Sequence, residues 1–131
     1  YEVLVEEKGI ALSCSGSGTV FGDRLMLRRA VNNLLSNAMR HTPSGGRIAV
    51  CVDDIGDALV LTVENTGETI AAEHLPRLFD RFYRVDAARR HFGEGTGLGL
   101  PITRSIARAH GGDATVHSHN GVARFGLRIP L

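Results

Sequence analysis

The sequence predicts an α/β domain built as a two-layer sandwich, with a mixed, mostly antiparallel sheet and helices on one face. Three observations lead there. A long helical pattern with a marked start and stop occupies residues 24–41. Two pairs of short apolar-rich runs, 47–52 with 58–64 and 114–117 with 122–129, are each joined by a turn. A second helical pattern, residues 98–110, precedes the last pair. Strands that follow one another through turns pair antiparallel, and amphipathic helices between them supply a covering layer. At 131 residues the chain has the size of one domain around one core, and no repeat or linker divides it.

Each element has a local reason. Residues 1–8 read as the end of a helix stopped by Gly9, and residues 10–14 alternate like a strand before a Gly/Ser turn at 15–18. Val20 and Phe21 make a short strand candidate. Asp23 is a good N-cap for the long helix, and Pro43 ends it by forcing the preceding residue out of the helical region. The hairpin turn falls at residues 53–57. A loop and a short helix near residues 72–78 follow. Residues 84–97 are rich in Arg and Gly and show no periodicity, the mark of a long loop that acts as a lid or stays disordered. Gly111 and Gly112 supply a left-handed stop for the helix at 98–110.

Composition narrows the function. A hydrophobic content of 43% and a charged content of 22% are ordinary for a globular chain. A net charge of +1 excludes a strongly basic surface that coats nucleic acid. No apolar run approaches the roughly 20 residues of a membrane span, and no signal-peptide pattern opens the chain. With its start at Tyr1 in mid-pattern, the expectation is a soluble, monomeric piece of a longer protein. Lys8 is the only lysine, so the positive charge is almost all arginine. That suits bidentate phosphate contacts and equally a genome-wide bias. Cys14 and Cys51 fit no metal spacing and are expected as two small core residues, unbridged. His117 and His119 alternate on one strand face without a third ligand, which favours a solvent-facing pair.

Four places carry chemistry. In NNLLSNAMRHT, residues 32–42, Asn33, Asn37, Arg40 and His41 fall along one helix face at about 3.6 residues per turn, beside an apolar arc of Leu27, Val31, Leu34, Leu35 and Ala38. A carboxamide oxygen suits Mg²⁺ when phosphates bring the negative charge; alone, the stripe is also what an amphipathic helix shows to solvent. In VENTGETI, Asn65 ends a strand where an amide can read a base edge, and Gly67 permits a sharp exit; a plain turn explains both as well. In GEGTGLGL, Gly93, Gly95, Gly97 and Gly99 run into a helix, where backbone N–H groups and the helix dipole favour phosphate. It is neither a dinucleotide fingerprint nor a P-loop. Phe79, Phe82 and Tyr83 are spaced for packing, with arginines strung around them.

Taken together and in this order, the motifs resemble the catalytic domain of histidine kinases, of the gyrase and chaperone ATPase superfamily. NNLLSNAMRHT is similar to its N box, VENTGETI to its first glycine box, FDRFYR to its F box and GTGLGL to its second glycine box. EHLPRLFDRFYRVD resembles the heavy-metal (copper/silver) sensor branch. The resemblance implies a histidine kinase-like ATPase fold that binds ATP and Mg²⁺ and donates the γ-phosphoryl group to a histidine. That histidine would lie on an upstream dimerisation domain, in a metal-responsive two-component system with a response regulator downstream. It implies a cytoplasmic domain of an inner-membrane sensor, without nucleic-acid or membrane contact by this segment.

Residue by residue, it implies Asn37 as the Mg²⁺ ligand, Asn33 as a second polar contact, Arg40 on the phosphates and His41 against adenine. Arg84 would stand near the terminal phosphate, and Gly95, Gly97 and Gly99 would flank an ATP lid. Gly67, Ile70, Phe82, Thr96 and Leu98 join the nucleotide-binding set by position. Two departures stand out. Asn65 replaces the family's aspartate, which costs the adenine contact its charge assistance, on the order of 1 kcal/mol; Thr69 replaces a glycine. The superfamily's hydrolases carry a glutamate at the position of Asn33, and an amide cannot take a proton from water, so slow hydrolysis and phosphoryl transfer are expected. The alternatives are an ATP hydrolase of the same superfamily and a non-catalytic nucleotide-binding module.

Overall fold

The computed structural model describes residues 6–67, 70, 73–80 and 99–131. In chain order these form β1 (Ala11–Gly16), α1 (Arg24–His41), β2 (Arg47–Asp54), β3 (Ala58–Thr66), a 3₁₀ turn at Leu75–Arg77, α2 (Gly99–Ala109), β4 (Asp113–His119) and β5 (Val122–Pro130). The sheet runs β1-β2-β3-β5-β4. β1 and β2 are parallel, linked through α1, and the other neighbours are antiparallel. Parallel strands need such a crossover, whereas β2–β3 and β4–β5 need only turns. The expected mixed sheet with a helical layer is therefore what forms.

Alternation along the strands decides the core. Ile48, Val63, Phe125, Leu127 and Ile129 turn inward, with Leu12, Val50, Leu61 and Val116 packed around them. Onto this face α1 lays Ala30, Leu34 and Ala38, none more than 1% exposed, and α2 lays Ile106 and Ala107. α1 starts where Asp23 caps it, the carboxylate accepting from Leu25 and Met26 N–H at 3.0 Å each. It stops at Thr42, whose N–H and hydroxyl both donate to Ala38 O, at 2.9 and 2.6 Å. α2 closes on a Schellman arrangement: Gly111, at φ +83°, donates to Arg108 O and Gly112 to Ala107 O. A Cβ at Gly112 would lie 1.7 Å from Arg128 O, so only glycine fits there.

The two helices are joined at three levels. Asn33 Nδ2 donates to Gly99 O (3.3 Å), Thr103 Oγ1, which donates to Gly99 O at 2.9 Å, comes within 3.4 Å of Ala30 O, and Asp23 N–H donates to His110 Nε2 (3.0 Å). His110 Nδ1 lies 2.8 Å from Ile106 O, so the ring hydrogen sits on Nδ1 while Nε2 accepts.

Several expectations need correction. No strand forms at Val20 and Phe21; the two apolar residues stand between Gly18 and Gly22, and Phe21 is fully exposed. The cysteines are unbridged but are not core residues. Cys14 is exposed on the edge strand, and Cys51 is half-buried on the sheet face away from the helices, its thiol 3.5 Å from Asp53 Oδ2. Among the described residues the short helix is the turn Leu75–Arg77, and the strands run one to three residues longer than expected. Of the first eight residues only the helical turn 6–8 is described, ending as expected at Gly9 (φ +73°). The loop expected at residues 84–97 lies outside the described residues.

Leu34→Ala removes a fully buried side chain between helix and sheet, and chemical denaturation should show a loss of about 2–5 kcal/mol. Asp113, at the start of β4, accepts from Arg104 Nε at 3.0 Å, Arg108 Nε at 3.3 Å and Ala114 N–H at 2.8 Å. Burial opposes its ionisation, but these bonds and the Arg104 charge together bring its carboxyl below the ordinary value. Its stabilising contribution is thus complete above the unfolded carboxylate range, near pH 4, and is lost as pH falls through the folded value. The stability advantage of the wild type over Asp113→Asn, measured in urea, should shrink as pH is lowered below about 4.

Candidate functional site

A cavity of about 450 Å³ opens between the C-terminal half of α1, the end of β3 and the start of α2. Its wall combines Asn37, Arg40, His41, Thr42 and Pro43 from α1 and its exit with Asn65, Ile70, Leu78, Leu100, Ala123, Phe125 and Lys8. The size is that of a small-ligand site, and an apolar floor with a few polar groups is the usual composition of one.

The polar groups arrive by separate routes. Asn37 follows Leu34 by three residues, so the turn that buries Leu34 also carries Asn37 to the border of the core, where it is 6% exposed. Arg40 and His41, one turn on, are exposed at the mouth. Asn65 sits in the β3 row that continues into Ile48 and Ala123, facing the helices, and is 4% exposed. Its Nδ2 donates to Thr66 O at 3.3 Å. With the nitrogen committed to a carbonyl, the amide has an acceptor left to offer, which is what the aspartate of the family pattern would supply. Ile70 N–H is held by Ser118 Oγ at 2.8 Å.

Gly67 is required by a close approach. Its N–H donates to Gly121 O (2.9 Å), and a Cβ there would lie 2.9 Å from His41 O. β3 therefore leaves the sheet directly under the end of α1. Asn33 does not line the cavity: it donates to Gly99 O and so pins the first residue of α2. Among the described residues no carboxylate lines the cavity, and three of its side chains are basic or imidazole. Such a wall fits an anionic ligand. A hard cation placed here would take the Asn37 oxygen and draw its negative ligands from the phosphates.

Of the expected site residues, the fold thus gathers Asn37, Arg40, His41, Asn65 and Ile70 on one cavity, with Gly67 beneath His41 and Asn33 joined to Gly99 beside it. Phe82, Arg84, Gly95, Thr96, Gly97 and Leu98 lie outside the described residues, as do Thr69, Tyr83 and Gly93. Phe79 is described and packs on the core, with Arg104 5.4 Å over its ring. Sequence reasoning missed Lys8, Thr42, Leu78, Leu100, Ala123 and Phe125. Ala123 and Phe125 had a signal, since they alternate along β5 in register with the inward residues of β3. Lys8 had none, because its contact is to a backbone carbonyl far along the chain.

Residues 22–131 match the family model described as histidine kinase-, DNA gyrase B-, and HSP90-like ATPase. The chain belongs to this family. It is 50% identical over 131 residues to the sensor histidine kinase CusS of Escherichia coli K12, which covers 99% of this chain and 27% of that protein. The chain thus spans about a quarter of the length of that relative. Among solved structures, the nucleotide-free catalytic domain of the histidine kinase ThkA superposes with a TM-score of 0.85 at 26% identity, covering 98% of this chain and 84% of that one. Full-length ShkA in complex with AMPPNP gives 0.83 at 28% identity, covering 98% and 27%.

Gly67→Ala places a methyl against His41 O. The strain should displace the end of α1 and destabilise the chain by about 1–3 kcal/mol, read as a lower denaturation midpoint, whereas alanine at the open Gly45 position tests backbone strain alone.

Proposed function

We propose that this domain binds Mg-ATP and donates the γ-phosphoryl group to a histidine on a separate helical domain, within a metal-responsive two-component system. The observation that carries the reading is the meeting of Asn37, Arg40 and His41 from one helix with Asn65 from the sheet on a single cavity. In this reading Asn65 accepts from the adenine amino group, His41 lies against the base, and Arg40 meets the phosphates. Asn37 provides a neutral oxygen for Mg²⁺, which would neutralise charge on the phosphates. Arg84 and the glycines Gly95, Gly97 and Gly99 complete the phosphate end in the family's pattern.

The chemistry breaks the bond between the γ-phosphorus and its bridging oxygen, releases ADP and forms a phosphorus–nitrogen bond to the acceptor imidazole. Positioning and charge neutralisation are what such a transfer demands of a protein. Asn33 supports transfer over hydrolysis: an amide cannot act as the base for water, and here its nitrogen is committed to Gly99 O. The likeness of EHLPRLFDRFYRVD to the heavy-metal sensor branch, together with the 50% identity to CusS, supports a metal-responsive parent. We place that parent in the inner membrane, with this domain on the cytoplasmic side and a response regulator as the next acceptor. Among the described residues no helix is long and apolar enough to cross a membrane.

Calorimetry with Mg-ATP and phosphoryl transfer to the parent's phosphoacceptor domain supplied in trans test the reading. Wild type should bind and label the acceptor with little steady-state hydrolysis. Asn37→Ala should lower transfer at least about a hundredfold, the loss of a metal contact worth several kcal/mol. Absence of binding at millimolar ligand, or full transfer by Asn37→Ala, refutes the assignment.

A further inference from the structure

The last turn of α1 leaves carbonyls that no later helical N–H can serve. Ala38 O is served twice by Thr42. Met39 O would take the N–H of residue 43, but Pro43 has none. Its donor comes from outside the helix: Lys8 Nζ, 31 positions earlier in the chain, lies 2.6 Å from Met39 O. Lys8 is the sole lysine of the sequence and stands in the helical turn just ahead of β1.

The residues after it are stitched to the same loop. Gly45 N–H donates to Gly9 O at 2.9 Å, and Ala11 N–H to Gly46 O at 3.1 Å. The segment leading into β1 therefore grips the end of α1 at the cavity, and Lys8 shares the cavity wall with Arg40 and His41.

We propose that Lys8 is a positioning residue for the nucleotide. By capping Met39 O it fixes the end of α1 that presents Arg40 and His41, so that affinity depends on how the segment ahead of β1 is seated. The proposal rests on the nucleotide reading of the cavity. A charge-assisted bond to a carbonyl with no helical donor is strong enough to hold a helix end.

The experiment titrates wild type, Lys8→Met and Lys8→Arg with Mg-ATP and, separately, with adenosine. Lys8→Met keeps the aliphatic stem and loses the donors; it should weaken both ligands, adenosine through His41 and Mg-ATP through His41 and Arg40 together, by roughly threefold to tenfold. Transfer at saturating ATP should be nearly unchanged, and Lys8→Arg should recover most of the loss. A loss confined to Mg-ATP would make Lys8 a phosphate contact and overturn the positioning role. Unchanged affinities for both ligands overturn the proposal alone. A wild type that binds neither ligand overturns the nucleotide reading and this proposal with it.

Discussion

The contact of α1 with the sheet through Ala30, Leu34 and Ala38 sets the geometry of everything else described. Alanine on either side of one leucine brings the helix backbone close to β3, and a close helix leaves one rotation that buries all three. That rotation carries Asn37 to the border between core and cavity and puts Arg40 and His41 at the mouth. It also brings the end of the helix over Gly67, which is why the exit from β3 must lack a side chain. A polar site built this way needs no special loop to aim it, because the same packing that stabilises the fold orients the amide.

Several of the described arginines differ in whether a carboxylate stands beside them. Arg104 and Arg108 share Asp113, Arg124 pairs with Glu64 directly opposite it on β3, and Arg128 reaches Asp57. These are exposed or half-exposed pairs, each a modest contributor. Arg104 does more, since its guanidinium also covers the Phe79 ring, so the segment following the 3₁₀ turn is fastened to α2. Arg40 differs in standing on the cavity wall, which has no carboxylate among its described residues. In the proposed reading, phosphate affinity would thus be a local property, set by where one arginine lacks an acidic neighbour among the described residues of the wall.

Much of this was legible in the chain because it rests on local rules. Asp23 and Pro43 bound α1 to the residue; Gly111 and Gly112 bound α2; Asp54 and Gly56 shape the hairpin, with Asp54 Oδ1 accepting from Gly56 N–H. What escaped was set by tertiary context. The cysteines read as core because both lie in strands, but which face a strand buries depends on register, and Cys51 pairs with Thr62 on the open side. Val20 and Phe21 had strand propensity without a partner strand. For the site, Asn37 and Asn65 gained meaning from the conjunction of motifs, and the fold brings them to one cavity. Lys8 and Arg104 act across long stretches of chain, where periodicity carries no information.

The amide of Asn65 has a consequence for the conditions under which the cavity keeps its polarity. A carboxyl in that row could take up a proton in acid and exchange an acceptor for a donor. An amide undergoes no such exchange, and its nitrogen is tethered to Thr66 O. The inner end of the pocket therefore presents the same hydrogen-bonding face at every acidity the fold survives, and an acid limit on ligand recognition would have to arise away from this amide.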